Sequence, residues 1–261
     1  FDILCREPKS STGICVGICP YSDWTMLIKS LYANNYDFDY AAFDGSLSKE
    51  LMEAALECMC ATSTEPEMLA ALGNASIVST HHGPTEDYVL IGTNPSGTPF
   101  TTVLNCIVNL IVVEYFMLTT NTPYIAYTYG DDLILSTKEE VQVENFREML
   151  KSEFGMTITP SDKGDKFKCV TPLEVNFLKR TPIFLTPHTV VGALDLAEME
   201  QNIMWCRGKE AFEQQIQSFA LELSLHGKKK YDEYRAILVT RQVWIPDYES
   251  SLMKMKEVIY N

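Results

Sequence analysis

Apolar and polar residues follow two different periods along this chain, and each period predicts a different kind of element. Alternation among β-branched and aromatic residues predicts strands at 36–43 and in a hairpin over 124–137. Apolar residues at helical spacing predict a helix that Ser46 or Ser48 can cap. The stripe expected to pack this helix on a core is Leu51, Met52, Ala55, Leu56 and Met59.

The remaining patterns complete the outline of the fold. Strand-like stretches follow at 156–159, 174–179 and 183–185, a short hairpin at 82–84, and helical patterns at 66–72, 141–154, 194–207, 210–226 and 228–241. Strands mixed with helices, followed by helices alone, are typical of an α+β domain that precedes a helical one. The sequence therefore predicts two parts, with the change near residue 190.

The most apolar stretch, residues 100–118, raises the question of a membrane span. It contains Thr101, Asn105 and Asn109 at intervals of four, so these side chains share one face of a helix. A buried helix with one polar stripe fits this pattern better than a spanning segment. Because buried polar groups need partners, the stripe contacts either a bound sugar or phosphate or the neighbouring helices, and the spacing favours neither.

Tyr129-Gly130-Asp131-Asp132 places two carboxylates at the tip of the hairpin over 124–137. Gly130 permits the backbone angles of a tight turn. Two adjacent acids repel each other unless a cation neutralises them, and oxygen ligands suit Mg²⁺ or Mn²⁺. Taken alone, the turn is better explained as a solvated acidic loop, so a chemical role depends on the rest of the chain.

Two more acids, Asp39 and Asp44, stand five positions apart at the end of the first predicted strand. Within one strand this odd separation puts them on opposite faces. If the strand ends just past Asp39, both can face one cleft. Taken alone, this spacing is common, and two surface acids are the default interpretation.

Net charge and cysteine usage narrow the functional classes. The formal charge of -14 is unlike the basic footprint of a nucleic-acid protein, so any such site must be a local basic stripe or be completed by other residues. The eight cysteines form no paired Cys-x-x-Cys, and the four histidines complete no zinc spacing. We predict no zinc site, and thiols in a reducing compartment.

Five short segments of the chain form an ordered set of motifs. They are Asp39-Tyr40-Ala41-Ala42-Phe43-Asp44-Gly45-Ser46-Leu47, Ser96-Gly97 followed by Thr101 and Asn105, Tyr129-Gly130-Asp131-Asp132, Thr159-Pro160-Ser161-Asp162-Lys163, and Phe177-Leu178-Lys179-Arg180. In this order they resemble motifs A to E of the RNA-dependent RNA polymerases of picornavirus-like positive-strand RNA viruses. Thr12-Gly13 with Val16-Gly17 is similar to the stretch that precedes motif A.

The resemblance implies a fold and a domain organisation. The fold would be α+β, a polymerase palm of antiparallel sheet with flanking helices, followed by a mainly helical thumb, in a polyprotein segment with the fingers largely missing. Residues 1–20 would be a remnant of the fingers. Residues 21–190 would be the palm, with a fingers insertion near 61–95, and residues 191–261 the thumb.

The same resemblance implies the catalytic residues and the cofactor. Asp39 and Asp131, assisted by Asp132, would hold two Mg²⁺ or Mn²⁺ ions for nucleotidyl transfer from NTPs to an RNA 3′-hydroxyl. Lys163 would be the general acid that protonates the pyrophosphate. Its alternative is a solvated loop lysine.

Further residues would bind the substrates. Asp44 and Asn105, with help from Thr101, would recognise the ribose 2′-hydroxyl, and Ser96 and Gly97 would form a flexible loop beside the template. Lys179 and Arg180 would contact the primer backbone. The implied partners are RNA template and primer, NTPs and other viral replication proteins, with no intrinsic membrane segment. The implied location is the host cytoplasm, at membrane-associated replication complexes.

Some features depart from the family pattern, and two other classes stay open. Phe100 occupies a motif B position that is small in the family, and no basic fingers motif lies upstream of residue 12. The region after 190 resembles a thumb only loosely. A reverse transcriptase is one alternative, although it usually has an aromatic residue where Asp44 stands. A non-catalytic acidic module that binds a metal or a protein is the other.

Overall fold

The computed structural model describes residues 12–95, 97–161 and 164–260. In chain order the elements are α1 Trp24–Ser30, β1 Asn34–Tyr40, α2 Phe43–Ser46, α3 Lys49–Ala61, α4 Pro66–Ile77, β2 Val78–His82, β3 Asp87–Ile91, α5 Thr101–Met117, β4 Tyr124–Tyr129, β5 Asp132–Thr137, α6 Val143–Phe154, β6 Ile158–Pro160, β7 Arg180–Thr186, β8 Thr189–Leu194, α7 Leu196–Met204, α8 Lys209–Ser224, α9 Lys228–Thr240 and α10 Tyr248–Tyr260.

These elements form two compact units. The first takes in residues 12–18 and 29–178, and the second residues 19–28 and those from 179 onward. The division falls at residue 179, whereas the sequence pattern placed it near 190. It differs because the β7–β8 hairpin, which follows residue 179, belongs with the helices of the second unit.

The first unit is built on a four-stranded sheet with the order β4-β5-β1-β6, and each neighbouring pair is antiparallel. Along β1 the residues alternate as the pattern predicted, so Tyr36, Phe38 and Tyr40 are buried in the core. Asp37 and Asp39 lie on the opposite face and are half-buried. The strand ends at Tyr40, so the alternation of faces along the strand does not determine the direction of Asp44.

Helices α3, α5 and α6 contribute to the core of this unit. The Ser48 hydroxyl accepts a hydrogen bond from the Leu51 backbone N–H and caps α3, whose predicted stripe is fully buried. Helix α6 ends at Gly155, which has φ +68°. Both helix ends match the sequence prediction. No helix in the described ranges has the length and apolar character that a membrane span requires.

The predicted strand at 174–179 was wrong, and the structure gives the reason. Val175 and Phe177 are buried at alternate positions, which imitates a strand pattern. The backbone N–H of Asn176, however, donates to the Asp37 carboxylate at 2.7 Å. A side chain therefore takes the place of a strand partner at Asn176, and no continuous strand forms over 174–179.

The second unit joins the β7–β8 hairpin to helices around its own core. The predicted strand at 183–185 extends to Arg180–Thr186, and its partner β8 ends at Leu194, the first residue of the region predicted as a helix. Helix α7 begins only at Leu196, because the Asp195 carboxylate accepts from the Ala197 N–H at 2.8 Å and caps it. Helix α10 was missed by the periodicity.

Candidate active site

The tight turn between β4 and β5 carries Asp131 and is held by side chains of α5. Gly130 has φ +62°, a conformation that favours glycine. Its N–H donates to the Cys106 sulfur at 3.1 Å, and its carbonyl accepts from the Asn109 amide at 2.8 Å. Both polar groups of the Gly130 residue are thus fixed by one helix, which sets the position of the acidic tip.

The acids of the turn differ in exposure. Asp131 is exposed, while Asp132, paired with Tyr129 across the hairpin, is half-buried. Strand β1 is paired with β5 up to Phe38 and Leu133, one residue short of Asp39 and Asp132. Asp39 therefore lies at the same end of the sheet as the acidic turn.

A cleft of about 550 Å³ opens at this end of the sheet. Its lining includes Tyr40 at the end of β1, Asp44 after that strand, Thr101 and Asn105 from α5, and Asp131 and Asp132 from the turn. Three segments far apart in sequence therefore meet here. Strand β1 reaches the lining through Tyr40, and Asp39 lies beside it at the same end of the sheet but is not among the described residues that line the cleft.

One side of the cleft is a connected network of amides and a carboxylate. The Asn105 amide nitrogen donates to the Asp44 carboxylate at 2.6 Å, and the Asn94 amide nitrogen donates to the Asn105 side-chain oxygen at 2.8 Å. Asn94 and Asn105 are buried, with 2% and 4% exposure. Asn94 was not among the predicted site residues, because it lies in a loop that carries only a turn signal.

The three members of the polar stripe of α5 have different surroundings. Asn105 lines the cleft, whereas Asn109 is buried and contacts the backbone of the turn. The Thr101 hydroxyl donates to the Pro95 carbonyl at 2.9 Å, so it accepts from the Thr98 hydroxyl at 2.8 Å. Asn109 and Thr101 thus have partners in the turn and the loop and not in a neighbouring helix, while binding of a sugar or phosphate by Asn105 stays a prediction.

The loop before α5 contains two of the predicted substrate-binding residues. Gly97 is exposed and has φ +96°, which a residue with a side chain rarely adopts. Phe100 ends the loop and packs on the core of the first unit, so the unusual motif B side chain anchors the loop there. Ser96, and likewise Lys163, lie outside the described residues.

The acidic residues of the cleft can supply part of the shell of a divalent cation. Within the described ranges, no three His, Cys, Asp or Glu side chains are grouped closely enough to enclose a metal ion. Mg²⁺, however, is usually bound by one or two carboxylates, with water and substrate phosphates completing its shell. The carboxylates of Asp131 and Asp132 in the cleft supply such oxygen donors. The donor set fits a cation held partly by substrate.

The pKa of Tyr40 responds to the negative charge at this end of the sheet. Burial raises the pKa of its phenol well above the ordinary value, and the charge of Asp131 raises it further. The Tyr40 hydroxyl is buried and makes no hydrogen bond to the described residues. A cation near Asp131 would oppose the second of these effects.

The two predicted RNA contacts lie in the second unit and differ from each other. Lys179 is exposed, with φ +58°. The Arg180 guanidinium instead donates to the Gly192 carbonyl at 2.6 Å and to the Glu222 carboxylate at 2.8 Å, and it lies over the Tyr21 ring. Its donors thus have internal partners, so an RNA contact by Arg180 stays a prediction that the geometry does not favour.

The antiparallel sheet with flanking helices and an acidic hairpin defines a palm-like fold of the polymerase class. A family model described as viral RNA-dependent RNA polymerase matches residues 6–243, and the chain belongs to this family. The fold is similar to that of the Sicinivirus 3Dpol RNA-dependent RNA polymerase, with a TM-score of 0.85 at 22% identity over 98% of this chain and 58% of that chain.

Sequence relatives agree with this assignment. The chain is 37% identical to the genome polyprotein of Ljunganvirus 1 and 34% identical to that of human parechovirus 5 (strain CT86-6760), in each case over 100% of this chain. It is 30% identical to the polyprotein of human hepatitis A virus genotype IA over 90% of this chain. The chain spans 12% of the length of each of these polyproteins.

Proposed function

We propose that this chain is the palm and thumb part of a polymerase that carries out template-directed RNA synthesis in viral genome replication. The reaction is nucleotidyl transfer from an NTP to an RNA 3′-hydroxyl. The observation that carries the proposal is the cleft in which Asp44 and Asn105 face the acidic turn of Asp131 and Asp132. Membership of the viral polymerase family supports it.

Asp131 and Asp132 hold Mg²⁺ or Mn²⁺ in this proposal, and Asp39 joins them from the adjacent strand. When bound, the cation lowers the pKa of the 3′-hydroxyl and stabilises the negative charge of the triphosphate. The chain's own contribution is to fix the acids at one sheet end. The Asn109 and Cys106 contacts with Gly130 support that role.

The amide network binds the ribose of the incoming NTP. Asp44 accepts and Asn105 donates, so the pair can bond a 2′-hydroxyl that is at once donor and acceptor. Thr101 supports the pair indirectly by closing the loop before α5. A deoxyribose offers no such group, so this side of the cleft selects ribonucleotides and disfavours the reverse transcriptase alternative.

The remaining assignments come from the family resemblance. Lys163 protonates the leaving pyrophosphate, Ser96 and Gly97 contact the template side, and Lys179 contacts primer phosphates. The partners are RNA, NTPs and other viral replication proteins, and the protein works in the host cytoplasm at membrane-associated replication complexes. The described residues 19–28 and 179–260 constitute the thumb with its β-hairpin.

Primer extension by the full-length polymerase that contains these residues tests the proposal. We expect Mg²⁺-dependent incorporation of NTPs on an RNA template, at a rate well above that of the matching dNTPs. Efficient dNTP incorporation would favour a reverse transcriptase. Absence of any incorporation, together with metal binding that Asp131→Ala abolishes, would favour the non-catalytic acidic module.

A further inference from the structure

Asn94 is buried at the junction between the loop before α5 and the ribose side of the cleft. Its side chain is only 2% exposed, yet it ends in a polar amide. The amide nitrogen contacts two acceptors, the backbone carbonyl of Thr101 at 3.2 Å and the side-chain oxygen of Asn105 at 2.8 Å. The residue thus connects the main chain of α5 to the amide that faces Asp44.

The Thr101 carbonyl fixes the polarity of this connection. A backbone carbonyl can only accept, so the Asn94 atom that faces it must be the amide nitrogen. The same nitrogen faces Asn105, and the Asn105 atom opposite must therefore be its oxygen. That leaves the Asn105 nitrogen directed at the Asp44 carboxylate, where a donor is required.

Asp44 and Asn94 hold the Asn105 amide from its two ends. The Asp44 carboxylate can only accept, so it requires the Asn105 nitrogen, and the Asn94 nitrogen requires the Asn105 oxygen. Asn94 therefore adds a second constraint to the one that Asp44 supplies, and the chain Thr101 carbonyl–Asn94–Asn105–Asp44 accepts only one polarity at each link. Rotation of the Asn105 amide by half a turn would place its oxygen against the Asp44 carboxylate and would place two nitrogens together.

The backbone of Asn94 is held independently of its side chain. Its N–H donates to the Asp44 carbonyl at 2.8 Å, and the preceding N–H of Thr93 donates to the Leu47 carbonyl at 3.0 Å. Thr93 has φ +63°. The loop is therefore docked on the Asp44 segment through its main chain, so a change of the Asn94 side chain leaves this docking in place.

The Asn94 side-chain oxygen lowers the stability of the folded state. It is buried and makes no hydrogen bond to any residue that the structure describes. A buried, unsatisfied polar atom is destabilising, and an apolar side chain of similar volume would avoid the penalty. The oxygen thus gives no reason for an amide at this position, and the reason lies in the nitrogen, which donates to Asn105 and to the Thr101 carbonyl.

We propose that Asn94 is a positioning residue for ribose selection, which holds the Asn105 amide in the orientation that donates to Asp44. The inference rests on the proposed function, because it assigns a role within the ribose-binding side of that site. Asn94 acts through Asn105 and does not itself contact the nucleotide.

The test measures kcat/KM for one NTP and its 2′-deoxy analogue in the full-length polymerase. Asn94→Leu removes the donor, and we expect the NTP-to-dNTP ratio to fall about threefold to tenfold, the value of one neutral hydrogen bond. Asn94→Asp replaces the donor by an acceptor and turns the Asn105 amide round, so the expected fall is about tenfold to a hundredfold. In both variants the ratio should fall because kcat/KM for the NTP falls, while kcat/KM for the dNTP stays the same.

Asn35 provides a matched control. It is also a buried asparagine of the first unit with an unsatisfied side-chain oxygen. Its nitrogen likewise donates to two acceptors, but both are backbone carbonyls, those of Tyr32 and Val170. Asn35→Leu and Asn35→Asp should lower the melting temperature without changing the NTP-to-dNTP ratio. An equal change of the ratio in the Asn35 variants would overturn the proposal.

A double-mutant cycle with Asn105→Leu makes the test independent of general destabilisation. Once Asn105 cannot bond, Asn94→Leu should have no further effect on the ratio. Additive effects, or an unchanged ratio in both Asn94 variants when the wild type prefers NTPs, would overturn the inference alone. A wild type without nucleotide incorporation would overturn the proposed function, and this inference with it.

Discussion

The two sides of the cleft are built on opposite principles. On the ribose side, Asp44, Asn105 and Asn94 are already bonded to one another without any ligand. On the acidic side, Asp131 is exposed, and no three metal-binding side chains are grouped among the described residues. A donor and an acceptor gain by pairing, whereas like charges repel until a cation arrives. In the proposed function, ribose recognition is thus preassembled, whereas the catalytic side depends on a cofactor and the substrate.

The largest effect is expected from removing charge on the acidic side. Asp131→Asn should lower nucleotide incorporation by roughly a thousandfold, because a group that acts on transition-state charge is lost. Thermal stability should stay the same or rise slightly, since a repulsion between adjacent acids is relieved. Single-nucleotide primer extension and thermal melting measure the two. The control is Glu148→Gln, which removes an exposed acid of α6 and should leave both unchanged.

Arg180 and Glu222 of the second unit form an ion pair, in contrast to the adjacent acids of the turn. Opposite charges, unlike two acids, can pair without a ligand. Their side chains are only 16% and 10% exposed, and the nitrogen–oxygen distance is 2.8 Å. Arg180→Met should lower the free energy of unfolding by about 3 kcal/mol, since it leaves a carboxylate without its partner. Urea denaturation measures this loss.

The matched control is the exposed pair Lys209–Glu213 in the same unit, with a distance of 3.8 Å. Lys209→Met should cost less than about 1 kcal/mol. If Arg180→Met instead keeps full stability and reduces the salt dependence of RNA binding, the guanidinium contacts RNA and its internal pair is not structural.

On the ribose side, Asn105→Leu should reduce kcat/KM for NTPs by about tenfold to a hundredfold, the range for a hydrogen bond to a charged group. The dNTP values should change little, because a deoxyribose gains nothing from the pair. Steady-state kinetics with both nucleotide types measure this. Equal losses for NTP and dNTP would show that Asn105 supports the fold of the cleft without reading the sugar.

A change of Asn109 tests the acidic turn independently of the ribose side, although Asn109 lies on the same helix as Asn105. Asn109→Leu leaves the Gly130 carbonyl without its 2.8 Å donor and should lower kcat by about tenfold, with the NTP-to-dNTP ratio unchanged. A change of the ratio as large as that of Asn105→Leu would contradict this division of labour.

The smallest effect concerns two tyrosines on one face of β1. Burial raises the pKa of Tyr36 to about 12, and burial together with Asp131 raises that of Tyr40. Asp131→Asn should lower the pKa of Tyr40 and leave that of Tyr36 in place. NMR titration of labelled tyrosines, assigned with Tyr→Phe variants, measures both. An equal shift of the two would contradict a local field.

The same pKa values set the sign of the alkaline response. Both folded-state pKa values lie above the unfolded value of about 10, so the stabilising contribution is complete below that pH and is lost as pH rises. Tyr36→Phe should therefore make the loss of stability above pH 10 less steep. Thermal melting across this range measures it.

Sequence reasoning found the acidic side of the site better than the ribose side. The hairpin tip at Gly130 and the cap at Ser48 follow from local patterns, and the structure confirms both. Asn94 escaped because its role depends on Asp44 and on Asn105, contacts that a loop pattern cannot show. Arg180 was assigned to RNA through the resemblance of its segment to motif E, and its partner Glu222, 42 positions away, could not be recognised from the local sequence. Local periodicity predicts elements, whereas pairings between distant polar residues are decided by packing.

The most direct test of the account compares Asp131→Asn with Asn105→Leu in pre-steady-state incorporation of one NTP and its 2′-deoxy analogue. We expect Asp131→Asn to slow the incorporation of both nucleotides by the same factor, because the cation site serves phosphate chemistry alone. Asn105→Leu should slow only the NTP and lower the ratio by about tenfold or more. A change of the ratio in Asp131→Asn as large as that in Asn105→Leu would contradict the separation of recognition from catalysis.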